Sequence, residues 1–268
     1  MATTTMVHSP VQQKFLTVQG MINARSAEIA KAIPRGINDK RLVRIVLTEL
    51  RKNPKLLDCD AASLMGAIGQ VAQLGLEVGG LTGQAYFVPY GKECQLILGY
   101  KGLVELARRS GQIKSIEMRA VFAGDEFSYS YGMKPTLTHT PMGETDPAKL
   151  THAYAIAHFK DGGFQMEVML KSQIEKVKGE AIRKAGGRKT PWETHEEEMW
   201  RKTPLRKLAK MLPMSPEAHR VIEAEEVLER TGSVVRDDVG LFDDVTGEVV
   251  EEKGALDKVV EAAKTATK

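Results

Sequence analysis

Cysteine is scarce in this chain. Cys59 and Cys94 are its only two in 268 residues, too few for a disulfide framework and without the spacing of a zinc site. Such usage suits a reducing, cytoplasmic setting. Long apolar runs are missing: nothing approaches the roughly 20 residues that span a bilayer. The N-terminal MATTTMVHSPVQQKF lacks the basic start and apolar stretch of a secretory signal. No G-x-x-x-x-G-K-[ST] occurs, which excludes a P-loop and with it the usual route to ATP hydrolysis. H-E-x-x-H is missing too. His195 is followed by Glu196, Glu197 and Glu198, a run that fits the acid enrichment of a helix N-terminus. No Ser/His/Asp or Cys/His arrangement stands out by spacing.

What is present is an ordinary globular composition, 42% hydrophobic and 27% charged, enough for one large domain with tails. Its charge is unevenly placed. Residues 221–268 carry thirteen acidic and six basic side chains, a net −7, which leaves +10 for residues 1–220. A basic body with an acidic tail fits a nucleic-acid protein, although a solvated surface has the same signature. Composition divides the chain into a partly ordered segment 1–37, a core over 38–231 and an acidic, flexible tail over 232–268.

Periodicity makes the core α+β, with short antiparallel strands packed against helices. In DKRLVRIVLTELRKN, Leu42, Val43, Val46, Leu47 and Leu50 recur at helical spacing, and Pro54 ends the run. Asp60 offers an N-cap for a helix reaching Leu74, with Gly75 closing it. The glycines at 75, 79, 80 and 83 are turn chemistry. QAYFVPY and ECQLILG around Gly91-Lys92 read as a hairpin. A helix over 99–110 follows, then strands at 113–122, 126–131, 134–139, 151–159 and 164–170. Helix returns at Lys171. Thr190-Pro191 and Thr203-Pro204 both look like helix starts, the alternative at the second being one helix running through Pro204. Glu217–Thr231 reads as an acidic helix.

Two basic clusters carry the functional argument. Lys101, Arg108 and Arg109 lie on the helix after the hairpin. In RKTPLRKLAK, Arg201, Lys202, Arg206, Lys207 and Lys210 put five cations in ten residues with no acid, while Leu205, Leu208, Ala209 and Leu212 form an apolar stripe. Such a face matches a sugar–phosphate backbone, where each neutralised phosphate releases counterions. Tyr86, Tyr90 and Tyr100 add rings on which bases can stack, or rings that belong to the core. Two other readings remain open: a magnesium-dependent nucleic-acid hydrolase using Asp125, Glu126 and Glu196, and a scaffold whose basic face binds an acidic protein.

The run LGLEVGGLTGQAYFVPYGKECQLILGYKGLVELARRSGQI resembles the signature of the RecT family of phage single-strand annealing proteins. AVFAGDEFSYSYG, HAYAIAHFKDG and PWETHEEEMWRKTPLRKLAKMLPMS follow in that family's order, so the resemblance covers about residues 40–220. It implies binding of single-stranded DNA and ATP-independent annealing of complementary strands in recombination, in a bacterial host cytoplasm. It also implies a homo-oligomeric ring or helical filament and a core like that of the lambda beta protein. No cofactor is implied; any magnesium dependence would act through the DNA. Partners would be single-stranded DNA, the annealed duplex, a cognate exonuclease and a host single-strand binding protein, with no membrane.

Overall fold

A computed structural model of the protein describes residues 9–187 and 189–231. The segment 1–8, Arg188 and the acidic tail 232–268 lie outside the described residues. Helix α1 (Pro10–Ala24) starts on Ser9, whose hydroxyl accepts the Gln12 amide at 3.3 Å, and α2 (Ser26–Ala32) follows directly. Phe15, Ile22 and Ile29 are buried in the main core, so residues 10–32, which the sequence leaves partly ordered, are two packed helices. They recur every seven residues, one per two turns, a stripe thinner than that of an ordinary amphipathic helix.

Helix α3 (Asp39–Lys52) is capped by Asn38, which accepts the Arg41 amide at 2.9 Å. Leu42, Val46 and Leu50 are its buried positions. A 3-10 turn over Pro54–Asp58 leads to α4 (Ala61–Leu74). Asp60 caps α4 through the Ser63 amide at 3.1 Å. Gly75, at φ +58°, ends it in the left-handed region that glycine adopts without strain. Leu64, Met65, Ile68, Val71 and Leu74 are all buried, so α4 is the central rod of this half.

The hairpin β1 (Ala85–Tyr90) and β2 (Glu93–Leu98) pairs antiparallel from Ala85↔Leu98 to Tyr90↔Glu93. Ala85 and Phe87 turn inward on alternate positions, while Tyr86 and Tyr90 are exposed. Helix α5 (Tyr100–Arg109) comes straight off β2. A second sheet has the order β3–β6–β7, from β3 (Ile113–Phe122), β6 (Leu150–Phe159) and β7 (Phe164–Leu170). Between β3 and β6 the chain forms a separate hairpin, β4 (Glu126–Ser130) and β5 (Thr136–Thr140). After β7 come α6 (Lys171–Ala185), the short α7 (Pro191–Thr194), α8 (Glu196–Ala209) and α9 (Pro216–Thr231).

The β3–β6–β7 sheet is covered on both faces. Ala153, Ala155 and Ala157 of β6, with Met118 and Ala120 of β3, are small or flexible enough to admit α8, which brings Trp200, Leu205 and Leu208. On the other face, Val121, Tyr154 and Val168 meet Phe127, Tyr129 and Leu137 of the β4–β5 hairpin. The Phe127 and Tyr154 rings stack with centroids 5.7 Å apart. Helix α8 runs through Pro204 rather than starting there. The lost N–H of Pro204 costs a backbone bond, but Trp200, Pro204, Leu205 and Leu208 are all buried, and that packing keeps the helix continuous.

A polar lock fixes the hairpin to the sheet. His139 Nε2 lies 3.1 Å from Asp125 Oδ2, and its Nδ1 lies 3.1 Å from the Tyr154 hydroxyl. Asp125 also accepts the amides of Phe122 and Met142, each at 2.8 Å. Burial opposes the Asp125 charge, but these amides and the His139 ring outweigh it and hold the carboxyl below its ordinary value. A depressed folded-state pKa contributes stability that is fully present above the unfolded value and is lost as pH falls through the folded one. Wild-type protein should therefore lose melting temperature steeply below about pH 4, and Asp125→Asn should flatten that acid limb. Melting curves from pH 3 to 6 that stay parallel for the two proteins would remove Asp125 from the lock.

Candidate nucleic-acid interface

The first basic cluster is built on a close approach that only glycine permits. The Gly99 amide donates to the Gln84 carbonyl at 2.8 Å, which pins the first turn of α5 to the chain entering β1. A methyl group on Gly99 would overlap the Gly83 carbonyl, and one on Gly102 would overlap the Gln84 carbonyl. The GYKG sequence thus sets Tyr100 and Lys101 at a fixed place between two backbone contacts. The Tyr86 ring lies across Gly99, and its hydroxyl and the Lys101 stem both reach Gly83. From the other side, Lys202 of α8 sits over the Tyr100 ring, 5.1 Å from its centroid, a cation–π contact. Tyr86, Tyr100, Lys101 and Lys202 therefore share one small surface. Tyr86 is 38% exposed and Tyr90 43%, so both rings are open to a ligand; Tyr100 is half-buried.

The remaining sequence-selected cations differ in how far the fold has already committed them. Arg109 donates to the carbonyls of Leu74 at 2.6 Å and Gly75 at 3.0 Å, and pairs with Glu105 at 3.0 Å. It closes the C-terminus of α4, where carbonyls lack helical partners. Arg201 pairs with Glu198 and, at 3.5 Å, with Glu197. Lys207 pairs with Glu167, and Lys210 with Glu226 at 2.6 Å; both lysines are exposed. Arg108 and Lys101 are exposed and have no carboxylate within ion-pair distance among the described residues.

Arg206 is held most firmly. Its guanidinium donates to the Leu98 carbonyl at 3.1 Å and to Glu225, and the other Glu225 oxygen accepts the Leu98 amide. One ion pair thus satisfies both backbone groups at the end of β2 and joins it to α8 and α9. Burial pushes the Glu225 carboxyl up, to about 7, against the pull of Arg206 and the Leu98 amide. Glu229 lies 3.8 Å from the same guanidinium. Nothing local in the sequence reveals a partner nineteen positions on, so Arg206 reads there with its basic neighbours.

The acids considered for hydrolysis do not converge. Asp125 is spent in the hairpin lock, Glu126 is exposed beside it, and Glu196 pairs with Lys178 at 2.6 Å. Among the described residues, no three His, Cys, Asp or Glu side chains are grouped to hold a metal ion. Nor is any described helix long and apolar enough to cross a membrane.

Fold and surface together define an α+β protein that presents tyrosines and cations side by side, the chemistry of a nucleic-acid partner. The chain belongs to the RecT family, whose model matches residues 40–239. It is 46% identical over 228 residues to Protein RecT of Escherichia coli (strain K12), covering 81% of this chain and 83% of that protein. It is 29% identical over 224 residues to the uncharacterized protein YqaK of Bacillus subtilis (strain 168), covering 82% of this chain and 76% of that one. This membership supports a role in recombination.

Breaking a buried ion pair by removing one partner leaves the other charge unanswered. Arg206→Ala should therefore lower the unfolding free energy by about 3 kcal/mol, whereas Lys210→Ala, at a pair exposed on both sides, should change it by less than about 1 kcal/mol. Urea denaturation of both variants checks this. Equal stabilities would show that Arg206 does not hold the end of β2.

Proposed function

We propose that this chain binds single-stranded DNA and anneals complementary strands without ATP. The observation that carries the proposal is the joint placement of Tyr86, Tyr100, Lys101 and Lys202 at the first turn of α5, within a chain of the RecT family. Lysines hold phosphates as point charges, and aromatic faces accept any base. Together they grip one strand without reading its sequence. Arg108 extends this surface along α5 and Tyr90 along the hairpin. Lys207 and Lys210 join it by exchanging their glutamate partners for phosphates, while Arg109 and Arg206 position the elements that carry the others and Arg201 stays paired within α8.

Pairing supplies the driving force, about 1.4 kcal/mol per base-pair step, so the reaction needs no nucleotide. Weak contacts repeated along a homo-oligomer, ring or filament, would hold a strand by avidity. The annealing core is residues 38–231 with α1 and α2 packed into the same hydrophobic core, and its fold is of the kind found in the lambda beta protein. The acidic segment 232–268 serves partners or regulation, a cognate exonuclease and a host single-strand binding protein being the candidates, in the cytoplasm of a bacterial host. A hydrolase reading has no comparable support, since its carboxylates are spread over separate elements.

Replacing Lys101 and Lys202 together by Gln should lower the slope of log affinity against log salt by about 1.4, at roughly 0.7 per phosphate on single strands. Tyr86→Ala should weaken binding by about 1–3 kcal/mol, with Tyr86→Phe close to wild type. Fluorescence anisotropy with a labelled oligonucleotide at several salt concentrations measures both. An unchanged slope in a folded Lys101/Lys202 variant would move the binding surface elsewhere.

A further inference from the structure

A third basic surface lies outside both clusters. From Lys171 to Lys189 the sequence has seven basic residues against two acidic ones, Glu175 and Glu180. Most of them are on α6, a helix of 15 residues in which only Ile174 is buried. Ile174 and the partly buried Ala181 face Trp192 and Trp200, which fixes the orientation of the helix. Lys178 then turns toward Glu196 and Lys184 toward the Glu229 carbonyl. Lys176 and Arg183, seven residues apart and so on one line of the helix, face away from the core. Both are exposed, as is Lys189 just beyond the helix, and none has a carboxylate within ion-pair distance among the described residues.

Gly179 flanks the line through Lys176 and Arg183 on one side, and the exposed Glu180 flanks it on the other. Glycine weakens a helix interior, and a methyl group here would meet no other atom within 4 Å. The chain's own packing therefore does not require it. A gap flanked by two cations instead lets an extended, negatively charged backbone lie close against α6. Val177 and Ile182, 40% and 38% exposed, also leave the flanks of the helix uncovered.

We propose that α6 and Lys189 form a second nucleic-acid surface, which holds the phosphates of the incoming strand while the tyrosine-bearing surface holds the first. This rests on the annealing function proposed above. One surface can grip one strand; pairing needs the second brought near and kept there against the repulsion of two polyanions. The two surfaces are linked through α8, whose Glu196 meets Lys178 of α6 and whose Lys202 meets Tyr100 of α5. Six residues of helix separate those positions, about 9 Å of rise.

The test uses full-length protein and the triple variant Lys176→Gln/Arg183→Gln/Lys189→Gln, matched to wild type in melting temperature. Two quantities are measured: affinity for one labelled oligonucleotide, and the rate at which the preformed complex captures and anneals its complement. First-strand affinity should stay within about twofold while capture falls about tenfold at physiological salt. The charge-preserving variant Lys176→Arg/Arg183→Lys should restore capture. Equal loss of affinity and capture would overturn the proposal by placing α6 in the first-strand surface. Unchanged capture would overturn it and leave this patch to an acidic protein. Wild-type protein that binds but does not anneal would sink the annealing function itself, and the second surface with it.

Discussion

The Arg206–Glu225 pair is the joint on which the arrangement of this protein depends. The end of a strand needs partners for its amide and its carbonyl, and burying either one unpaired is costly. Here Leu98, the last residue of β2, finds both on side chains: the Glu225 carboxylate takes the amide and the Arg206 guanidinium gives to the carbonyl. Because the two side chains also bond each other, the hairpin, α8 and α9 meet at one point. A hydrophobic contact could hold these elements together. It could not fix the end of β2, and hence the start of α5, in one register.

That register matters because the proposed binding groups lie immediately beyond it. Gly99 and Gly102 let α5 press on the chain at Gly83 and Gln84, so Tyr100 and Lys101 are placed by backbone rather than by flexible side-chain packing. Lys202 reaches Tyr100 from α8, one turn before Arg206. The same ion pair that anchors β2 therefore fixes the distance across the surface. The cations fall into two sets as a result. Arg109 and Arg206 hold the frame, using the several fixed donors of guanidinium, whereas most cations left open to a ligand are lysines. Acids of α9 meet the basic face of α8 at Arg206 and Lys210, so the +10 of residues 1–220 overstates the charge that a polyanion would encounter.

Where local chemistry decides the structure, the sequence was readable. Asp60 and Gly75 bracket α4, alternation places the hairpin strands, and the five later strands fall within two residues of their expected ends. What depended on distant partners was not. Phe15, Ile22 and Ile29 are too sparse to announce two helices until the core they enter is present. At Pro204 the local rule leaves a helix start and a continuous helix both open, and burial of Trp200 and Leu205 decides for the continuous one. The site was legible as a set of residue types, tyrosines and cations at helical or strand spacing. The sequence did not reveal which arginines were already occupied, since Glu225 lies 127 positions from Leu98. The basic surface of α6 and the residues after it is hard to read for a simpler reason: the seven cations of residues 171–189 are spread over nineteen positions and never form a dense run.

For the annealing proposed above, spreading cations this way has a physical consequence. A dense, rigid cluster neutralises many phosphates at once and would trap a strand, because each contact adds to the salt-dependent affinity. Separate surfaces of a few lysines each bind weakly, and repetition along an oligomer restores the total. In the proposed oligomer exchange would be local: one subunit could let go while its neighbours kept hold. The Lys210–Glu226 ion pair, exposed on both sides, fits the same logic. In an exposed pair the net stabilisation is small, so a phosphate can displace the glutamate at little cost and the glutamate can take its place again. Rigid arginines beneath exchangeable lysines give a surface whose shape is fixed and whose grip is adjustable, as the proposed annealing would require for the product duplex to leave.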